Sequence, residues 1–454
     1  KPANQLAFFV YNLFAILFHR FYHFHFSFYG LCCSFAPKPN LMTVLLKNLR
    51  LIQNGAILDP KDYSFSNGSL VEFSGSDSLG SAEVIDCSRY FASKGWIDLR
   101  CGIGEPGQEY RETVESLCDS LTASGFCAAV VMPNTDPVIQ SKNEVDFVLN
   151  KSKPFLARLE VMGAVTKNAS GEDLTEILDM HFQSGLRIFG DGVKTLSNPD
   201  RYMKILQYLQ KFDGVLFDHA YDPLLGIFGQ MHEGEISTSL GMKGIPNLAE
   251  DVAIQRNLEI CRYSGGKVHF QTISTSKSVE LIRKAKEEGL NVTADVSIYQ
   301  LIFADIDLVT FNSNYKVKPP FRGDTDRQAL IQGLKDGTID AIVSNHQPQD
   351  FDSKFAEFDL AAFGMSGLQT FLPAMVLLSH ELGWGLMIDK ITKSPETIIG
   401  GISNSLTVFD PEEKWIYDER TNKSLSANHP WFGNELQGKV KYVFQKGQFL
   451  KVNA

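Results

Sequence analysis

The middle of the chain alternates short apolar runs with amphipathic stretches, and this alternation constrains the fold more than any other feature. The apolar runs are KGWID, FCAAVVM, RLEVMGAV, GLRIFG, GVLFDH, GKVHFQ, NVTADV and DAIVSN. Stretches such as SVELIRKAKEEG separate many of them and carry apolar residues at helical spacing. Eight buried-type strands alternating with helices predict an α/β fold, a parallel (β/α)8 TIM-type barrel, with an open doubly wound sheet as the alternative.

Both flanks of this region have the pattern of an all-β domain. Residues 43–91 contain short apolar runs separated by Asn-Gly steps, which mark hairpins. Residues 396–454 repeat the style with KWIYDE and KVKYVFQKGQFLKV, the second of which contains a Lys-Gly turn. We therefore expect a small β-sandwich domain built from both termini, with the barrel occupying residues 92–395.

The first 41 residues differ from the rest because they are crowded with Phe, His and Tyr. Their apolar run from Leu6 to Phe18 has the length of a signal core and is too short to span a bilayer comfortably. Three interpretations stay open: a signal or anchor, a functional extension, or an artefact of sequence upstream of a natural start at Met42. We leave residues 1–41 unassigned.

Composition and charge exclude several classes of partner. Of the 454 residues, 44% are hydrophobic and 21% charged, as in ordinary globular proteins. The net charge is -10 with no run of Lys or Arg, which argues against nucleic acid or an acidic membrane as partner. The seven cysteines form no CxxC pair, so we expect a reducing cytoplasm. No GxGxxG or P-loop follows a strand, so nucleotide binding has no support.

Polar residues stand at the carboxyl ends of most predicted strands. In a parallel barrel these ends meet at one face, where catalytic sites lie. Taken singly, each residue is explained as a helix cap or a loop hydrogen bond. As a set they predict a functional site, because they recur at the same end of successive strands. They are Asp98, Asn134, Asp191, Asp218, His219, His269, Asp295, Asn345 and His346.

Several longer stretches resemble the dihydroorotases of the amidohydrolase superfamily, in the expected order and spacing. The resemblance implies a β/α barrel with a β domain from both termini, and reversible hydrolysis of a cyclic amide in pyrimidine synthesis. It also implies one or two zinc ions that generate a hydroxide, and an aspartate that moves the proton. The stretches are GWIDLRCGIGEPGQEYRETVES, VVMPNTDPV, HFQTISTSKSVELIRKAKEEGLNVTADV, YKVKPPFRGDTDRQALIQGLKDGTIDAIVSNHQP and FGMSGLQTFLPAM.

The motif after the first strand departs from the family pattern. That pattern is Asp-x-His-x-His-x-Arg, with two metal-binding histidines and an arginine for the substrate carboxylate. Here Arg100 and Gly102 stand at the histidine positions, and Gly104 stands at the arginine position. Arginine stays protonated and glycine has no side chain, so neither can bind zinc. The charge of Arg100 also opposes a cation.

Later motifs retain some family residues and lack others. Asn134 matches the substrate-contacting asparagine, while Asp191 and His219 fit metal-ligand positions after strands four and five. Thr272 replaces the histidine ligand after strand six, and Asn345 replaces the proton-transferring aspartate. An amide cannot exchange a proton near neutral pH, so we predict no catalytic residue and no bound cofactor.

Three functional hypotheses follow. The first is a non-catalytic dihydroorotase homologue, a structural or regulatory subunit; the resemblance implies aspartate carbamoyltransferase or another pyrimidine-pathway enzyme as partner, and homo-oligomers. The second is an active dihydroorotase with a reduced zinc site that uses His219 and Asp191. The third is a sensor that holds an anionic metabolite in a pocket retaining Arg100, Asn134 and His346.

Overall fold

The computed structural model describes residues 44–66, 69–74, 83–401 and 404–452. The interpretations of residues 1–41 and of a start at Met42 lie outside these ranges. No helix in the described ranges has the length and apolarity needed to cross a membrane.

The strands fall into an N-terminal group, a central group and a C-terminal group. The first group is β1 (Val44–Gln53), β2 (Ala56–Ile57), β3 (Lys61–Ser66), β4 (Ser69–Glu72), β5 (Glu83–Asp86) and β6 (Phe91–Lys94). The central group is β7 (Trp96–Cys101), β8 (Phe126–Val131), β9 (Arg158–Val161), β10 (Ile188–Phe189), β11 (Val215–Asp218), β12 (Met231–His232), β13 (Gly244–Ile245), β14 (Val268–Phe270), β15 (Val292–Ser297) and β16 (Ala341–Val343). The last group is β17 (Leu406–Ile416), β18 (Glu435–Gln445) and β19 (Gln448–Lys451).

The α-helices lie mostly between the central strands. They are α1 (Val114–Ala123), α2 (Lys142–Ser152), α3 (Ile177–Ser184), α4 (Pro199–Leu209), α5 (Glu235–Ser239), α6 (Leu248–Ser264), α7 (Ser276–Glu287), α8 (Asp324–Lys335), α9 (Phe351–Lys354), α10 (Phe371–Leu382), α11 (Trp384–Ile391) and α12 (Lys393–Ile399).

The first and last strand groups form one sheet, which confirms the β domain built from both termini. Its order is β19-β18-β17-β6-β1-β3-β4, with β2 and β5 also paired to β1. β17 runs antiparallel to β6 and so joins the two ends of the chain. The predicted Asn-Gly turn joins β1 to β2, with φ of 50° at Asn54 and 76° at Gly55. Positive φ at both turn residues is the conformation that favours Asn-Gly in tight hairpins.

Eight of the central strands form the parallel barrel that the alternating pattern predicts. β7, β8 and β9 pair in one arc, and β10, β11, β14, β15 and β16 pair in a second. Single bridges close the ring, one between Gly163 and Phe189 and one between Cys101 and His346. The barrel was the favoured prediction, and the open doubly wound sheet was wrong.

Burial explains why these runs form barrel strands. Every residue of β7 and β8 is buried, as expected for strands covered on both faces. The helix α7 buries Val279, Ile282 and Ala285 on one face, and the Thr275 side chain accepts a hydrogen bond from the Ser278 amide at its start. Strands of this kind hold the polar residues at their carboxyl ends in fixed positions.

Candidate functional site

Arg100 is the penultimate residue of β7 and is fully buried at the carboxyl end of the barrel. Its Nη1 donates a hydrogen bond to Gln271 Oε1 at 2.6 Å, and its Nε donates to Asn345 Oδ1 at 3.0 Å. Nη1 also lies 3.5 Å from the carbonyl oxygen of Gly192. Nη2 is buried and has no partner among the described residues. The guanidinium therefore connects the end of β7 to the residues that follow β10, β14 and β16. Its Nη2 group makes no hydrogen bond to a described residue.

The neighbours of Arg100 are mostly neutral, so its charge is only partly compensated. Burial lowers the pKa of Arg100 to about 10, while the negative charges of Asp295 and Asp98 act in the opposite direction. Asp98 accepts hydrogen bonds from the amides of Arg100 and Ser344. Burial raises the pKa of Asp98, which those hydrogen bonds oppose. Arg100 therefore remains a cation at neutral pH.

His219 follows β11 and is almost fully buried close to this cation. Burial lowers its pKa well below the ordinary value, and the positive charges of Arg100 and Lys318 lower it further. The imidazole is therefore neutral at pH 7, and its Nδ1 has no partner among the described residues. Two positive charges that act on one imidazole disfavour a third on a metal ion.

His269 forms a closed hydrogen-bonded pair with Asp295 inside the barrel. Its Nε2 lies 2.8 Å from Asp295 Oδ2 and its Nδ1 lies 2.8 Å from Thr293 Oγ1. The other Asp295 oxygen accepts a hydrogen bond from the Thr272 amide at 2.6 Å. Both ring nitrogens of His269 are thus used internally, which leaves neither for a metal.

Asp191 lies in the turn after β10, and hydrogen bonds also occupy both of its oxygens. Oδ1 accepts from the amides of Val165 and Thr166 at 3.0 and 3.1 Å, and Oδ2 accepts from the Thr166 hydroxyl. Burial raises the pKa of Asp191 to about 6 against these hydrogen bonds. Asn134 lies beside it, donating to the Asp191 carbonyl and accepting from the Val193 amide. The carboxylate orders a turn.

The residues after β16 divide between two environments. Asn345 has φ of 49°, and its Oδ1 accepts from Gln347 at 2.8 Å as well as from Arg100. His346 is turned toward Glu112, with 3.2 Å between Nε2 and Oε2. Glu112 also accepts from the Ser424 hydroxyl. His346 therefore packs between the barrel and the C-terminal segment.

The glycines after β7 leave no space for the family's side chains. A Cβ on Gly104 would lie 2.3 Å from the Gln108 carbonyl oxygen and 2.6 Å from that of Glu112. A Cβ on Gly102 would lie 3.0 Å from the His346 carbonyl oxygen. An arginine at position 104 would require the backbone to move, because contacts of this length are repulsive.

These residues do not fit a zinc ion. A catalytic zinc takes about three protein ligands, and a buried guanidinium lies among the candidates. Within the described part of the chain, no three His, Cys, Asp or Glu side chains are grouped so that they could hold a metal. His219 and Asp191 do not meet in such a group, since Asp191 faces Thr166.

A cavity of about 420 Å³ lies at the carboxyl end of the barrel. Three cations line it, Arg111, Lys194 and Lys318, and no described acidic residue does. Burial lowers the pKa of Lys318 to about 8, and the charge of Lys194 contributes in the same direction. The remaining lining residues are Gly102, Ile103, Gly104, Gln108, Met132, Asn134, Val193, Thr195, Tyr221, Pro223, Gln347, Pro348, Gln349 and Phe363.

The structure brings together only part of the predicted pocket. Asn134 lines the cavity, whereas Arg100 and His346 are not among the described lining residues. Sequence reasoning missed Gln271 as the acceptor for Arg100, although it ends the apolar run GKVHFQ. It also missed Lys318, for which a Lys-x-Lys-Pro-Pro turn gives no distinct chemical signal.

Comparison with known proteins supports one family. The model of dihydro-orotase-like proteins matches residues 92–278. A dihydroorotase of Acetivibrio thermocellus is 33% identical over 416 residues, covering 87% of this chain and 97% of the relative. A dihydroorotase of Syntrophus aciditrophicus is 33% identical over 425 residues, covering 90% and 99%.

Solved structures of other proteins share the fold of this chain. An L-hydantoinase (dihydropyrimidinase) from Arthrobacter aurescens matches with a TM-score of 0.79 at 20% identity, covering 90% of this chain and 96% of that one. At this identity the match establishes the fold alone. The matches to the two dihydroorotases, at 33% identity, cover nearly the whole length of each relative. The chain therefore belongs to the dihydroorotase family.

Proposed function

We propose that this protein is a non-catalytic member of its family that serves pyrimidine biosynthesis as a structural or regulatory subunit. The observation that carries the proposal is the buried guanidinium of Arg100, fixed by Gln271 and Asn345 at the position where the family has a metal-binding histidine. A cation held there by hydrogen bonds opposes a divalent ion by direct repulsion.

Loss of proton transfer supports the same proposal. Asn345 stands at the family's aspartate position, and its oxygen accepts hydrogen bonds from Arg100 and Gln347. Removing a general base alone lowers rates by about 10²- to 10⁴-fold. Without a metal to generate hydroxide, no other described group in the barrel is arranged as nucleophile and base. Cys101 is buried, donates to Asp98 and has its pKa raised well above the ordinary value by burial, so it is not activated.

The space at Gly104 argues that binding of the family's substrate is also lost. A side chain there would collide with the backbone of Gln108 and Glu112. The family's carboxylate-binding arginine therefore has no place in this backbone. The alternative of an active enzyme with a reduced zinc site would need His219 and Asp191 as ligands. Hydrogen bonds occupy both oxygens of Asp191, and the positive charges of Arg100 and Lys318 act on His219.

Exposed apolar side chains in two loops that follow barrel strands support a protein partner. Leu224 and Phe228 follow β11 and are 76% and 74% exposed, and Phe355 and Leu360 follow β16 and are 77% and 74% exposed. The same two loops contribute Pro223 and Phe363 to the cavity wall. We propose aspartate carbamoyltransferase or another pathway enzyme as partner. The reducing cytoplasm is the proposed compartment, since the five described cysteines are buried free thiols.

Turnover is tested with purified protein supplied with zinc, in both directions of the dihydroorotase reaction. The expected result is no ring opening or closure above the buffer rate. Turnover that disappears in His219→Ala would contradict the proposal and favour the active enzyme with a reduced site.

The partner is tested by co-purification of aspartate carbamoyltransferase with the full chain. Phe228→Ser and Phe355→Ser are expected to weaken the complex. Phe182→Ser is the matched control, because Phe182 is 75% exposed on α3 and does not line the cavity. Absence of any complex with pathway enzymes, or equal effects of all three substitutions, would contradict a role as their subunit.

A further inference from the structure

Two loops that follow neighbouring barrel strands pack together into one surface. The first follows β15 and includes residues 305–316, and the second follows β16 and includes residues 351–361. The Ser313 hydroxyl donates a hydrogen bond to the Lys354 carbonyl oxygen at 2.6 Å, which ties the first loop to the second. We call this surface the loop face. None of its residues lines the cavity at the end of the barrel.

Both lysines of the loop face are buried, with their ammonium groups turned inward. The Lys354 ammonium donates to the carbonyl oxygens of Ala362 and Gly364 at 2.9 and 3.0 Å. The Lys316 ammonium donates to the Phe358 carbonyl oxygen at 2.7 Å. The two ranges contain no other Lys or Arg, so these loops present no positive charge to solvent.

Carboxylates dominate the outer side of the loop face. The two ranges contain five of them, and Asp352, Glu357 and Asp359 are exposed. None of these three side chains forms an ion pair or a hydrogen bond with a described residue. A surface of one sign attracts ligands of the opposite charge and repels those of its own. Nucleic acids and acidic lipids are therefore excluded, and a partner with positive charge is favoured.

Exposed apolar side chains are interleaved with these carboxylates. Phe351 and Phe355 are 72% and 77% exposed, and their rings stack with 4.9 Å between centres. Leu360 is 74% exposed, and on the first loop Ile306 and Phe311 are 53% and 45% exposed. Removing such side chains from water is favourable, so a group of them on one surface indicates a site for a protein partner.

We propose that the loop face binds a segment of a partner protein that is both basic and amphipathic. The apolar side of this segment covers Phe351 and Phe355, while its Lys or Arg side chains meet the three exposed carboxylates. Lysine and arginine suit this role because their aliphatic stems pack on apolar surface while their charged ends reach carboxylates. The inference rests on the proposed function for the existence of a protein partner, and it adds the chemistry by which that partner is recognised.

The probe is a fluorescent peptide of Leu and Lys, patterned as an amphipathic helix, and its binding to the full chain is measured by anisotropy. Added salt should weaken binding, since exposed charges are screened. Two control peptides each lack one half of the pattern, with Glu in place of Lys or Ser in place of Leu. Both should bind at least about tenfold more weakly than the Leu–Lys peptide.

A variant without the aromatic pair locates the binding site on the chain. Phe351→Ser combined with Phe355→Ser should weaken binding of the Leu–Lys peptide about tenfold or more, as loss of an aromatic anchor does. Phe182→Ser is the matched control, because Phe182 is equally exposed and lies on α3, outside the loop face.

A charge variant tests the carboxylates. Asp352→Asn, Glu357→Gln and Asp359→Asn together should also weaken binding about tenfold, since several exposed ion pairs add up to that factor. The matched control changes the net charge by the same amount at three exposed glutamates outside the loop face that form no ion pair with a described residue. Its substitutions are Glu115→Gln, Glu176→Gln and Glu287→Gln.

Binding that is lost in both loop-face variants and kept in both controls supports the proposal. No binding of the Leu–Lys peptide at about millimolar concentration, equal binding of the three peptides, or equal weakening by loop-face and control variants would overturn it. Peptide binding without co-purification of a pathway enzyme would contradict the proposed function alone, whereas co-purification without peptide binding would overturn this inference alone. The unfolding midpoint of each variant shows whether it has folded like the parent chain.

Discussion

Asn345→Asp is the substitution that probes the charge at the barrel end most directly. It restores the family's carboxylate in nearly the same volume and places it against the Arg100 guanidinium, whose Nε already lies 3.0 Å from the Asn345 oxygen. The backbone accepts the change, since Asp tolerates the φ of 49° as Asn does. The second oxygen also offers a partner to the unpaired Nη2.

The size of the effect follows from two opposing contributions. Opposite charges about 4 Å apart attract by about 4 kcal/mol at an effective dielectric constant near 20. Burying the new carboxylate costs several kcal/mol, although the desolvation of Arg100 is already part of the native protein. We expect about 1 kcal/mol of net stabilisation at pH 7, or about 1 °C in Tm for a chain of 454 residues.

Urea unfolding followed by circular dichroism measures this difference. Asn257→Asp is the matched control, because the buried Asn257 amide donates to the Asp218 carboxylate at 2.7 Å. There the same substitution sets two carboxylates together and should cost roughly 3–5 kcal/mol, as uncompensated buried charges do. The stabilisation of Asn345→Asp should disappear at acid pH, where the new carboxylate takes up a proton.

Asn345→Asp is also expected to leave the protein without dihydroorotase activity, since a carboxylate paired with Arg100 has no metal-bound water to act on. A destabilisation comparable to that of Asn257→Asp would refute the description of Arg100 as a cation whose charge is only partly compensated. Dihydroorotase activity in the Asn345→Asp variant, with none in the parent protein, would refute the absence of a metal site.

Two further predictions concern neighbouring groups. Gly104→Ala should lower the free energy of unfolding in urea by about 1–3 kcal/mol, from overpacking against backbone. Cys101 should react with a thiol reagent only after denaturation, as read by peptide mass spectrometry, because it is buried and its pKa is raised.

The fold was predictable from the sequence because periodicity and burial act locally. The runs FCAAVVM and KGWID became β8 and β7, whose residues are all buried. His269 and Asp295, two of the polar residues predicted at strand ends, instead bond to each other, and His269 also contacts Thr293. Asp295 accepts a further hydrogen bond from the Thr272 amide.

The site was less predictable because its contacts join residues far apart in the chain. The charge of Arg100 predicts that a metal ion is repelled there. Its hydrogen-bond partner Gln271 lies 171 residues away, and no local sequence pattern predicts that contact. The motif around His346 predicts that this residue lines the pocket. In the structure its ring instead faces Glu112. The direction of a side chain after a strand depends on packing against other elements, as here against the C-terminal segment near Ser424.

Metal content of the full chain, purified with zinc present and then dialysed, tests the central claim most directly. The buried charge of Arg100 and the hydrogen bonds that occupy the His269 and Asp191 side chains predict a low zinc content. Elemental mass spectrometry should find well below one zinc ion per chain. One or two tightly held ions per chain, lost on His219→Ala, would contradict it.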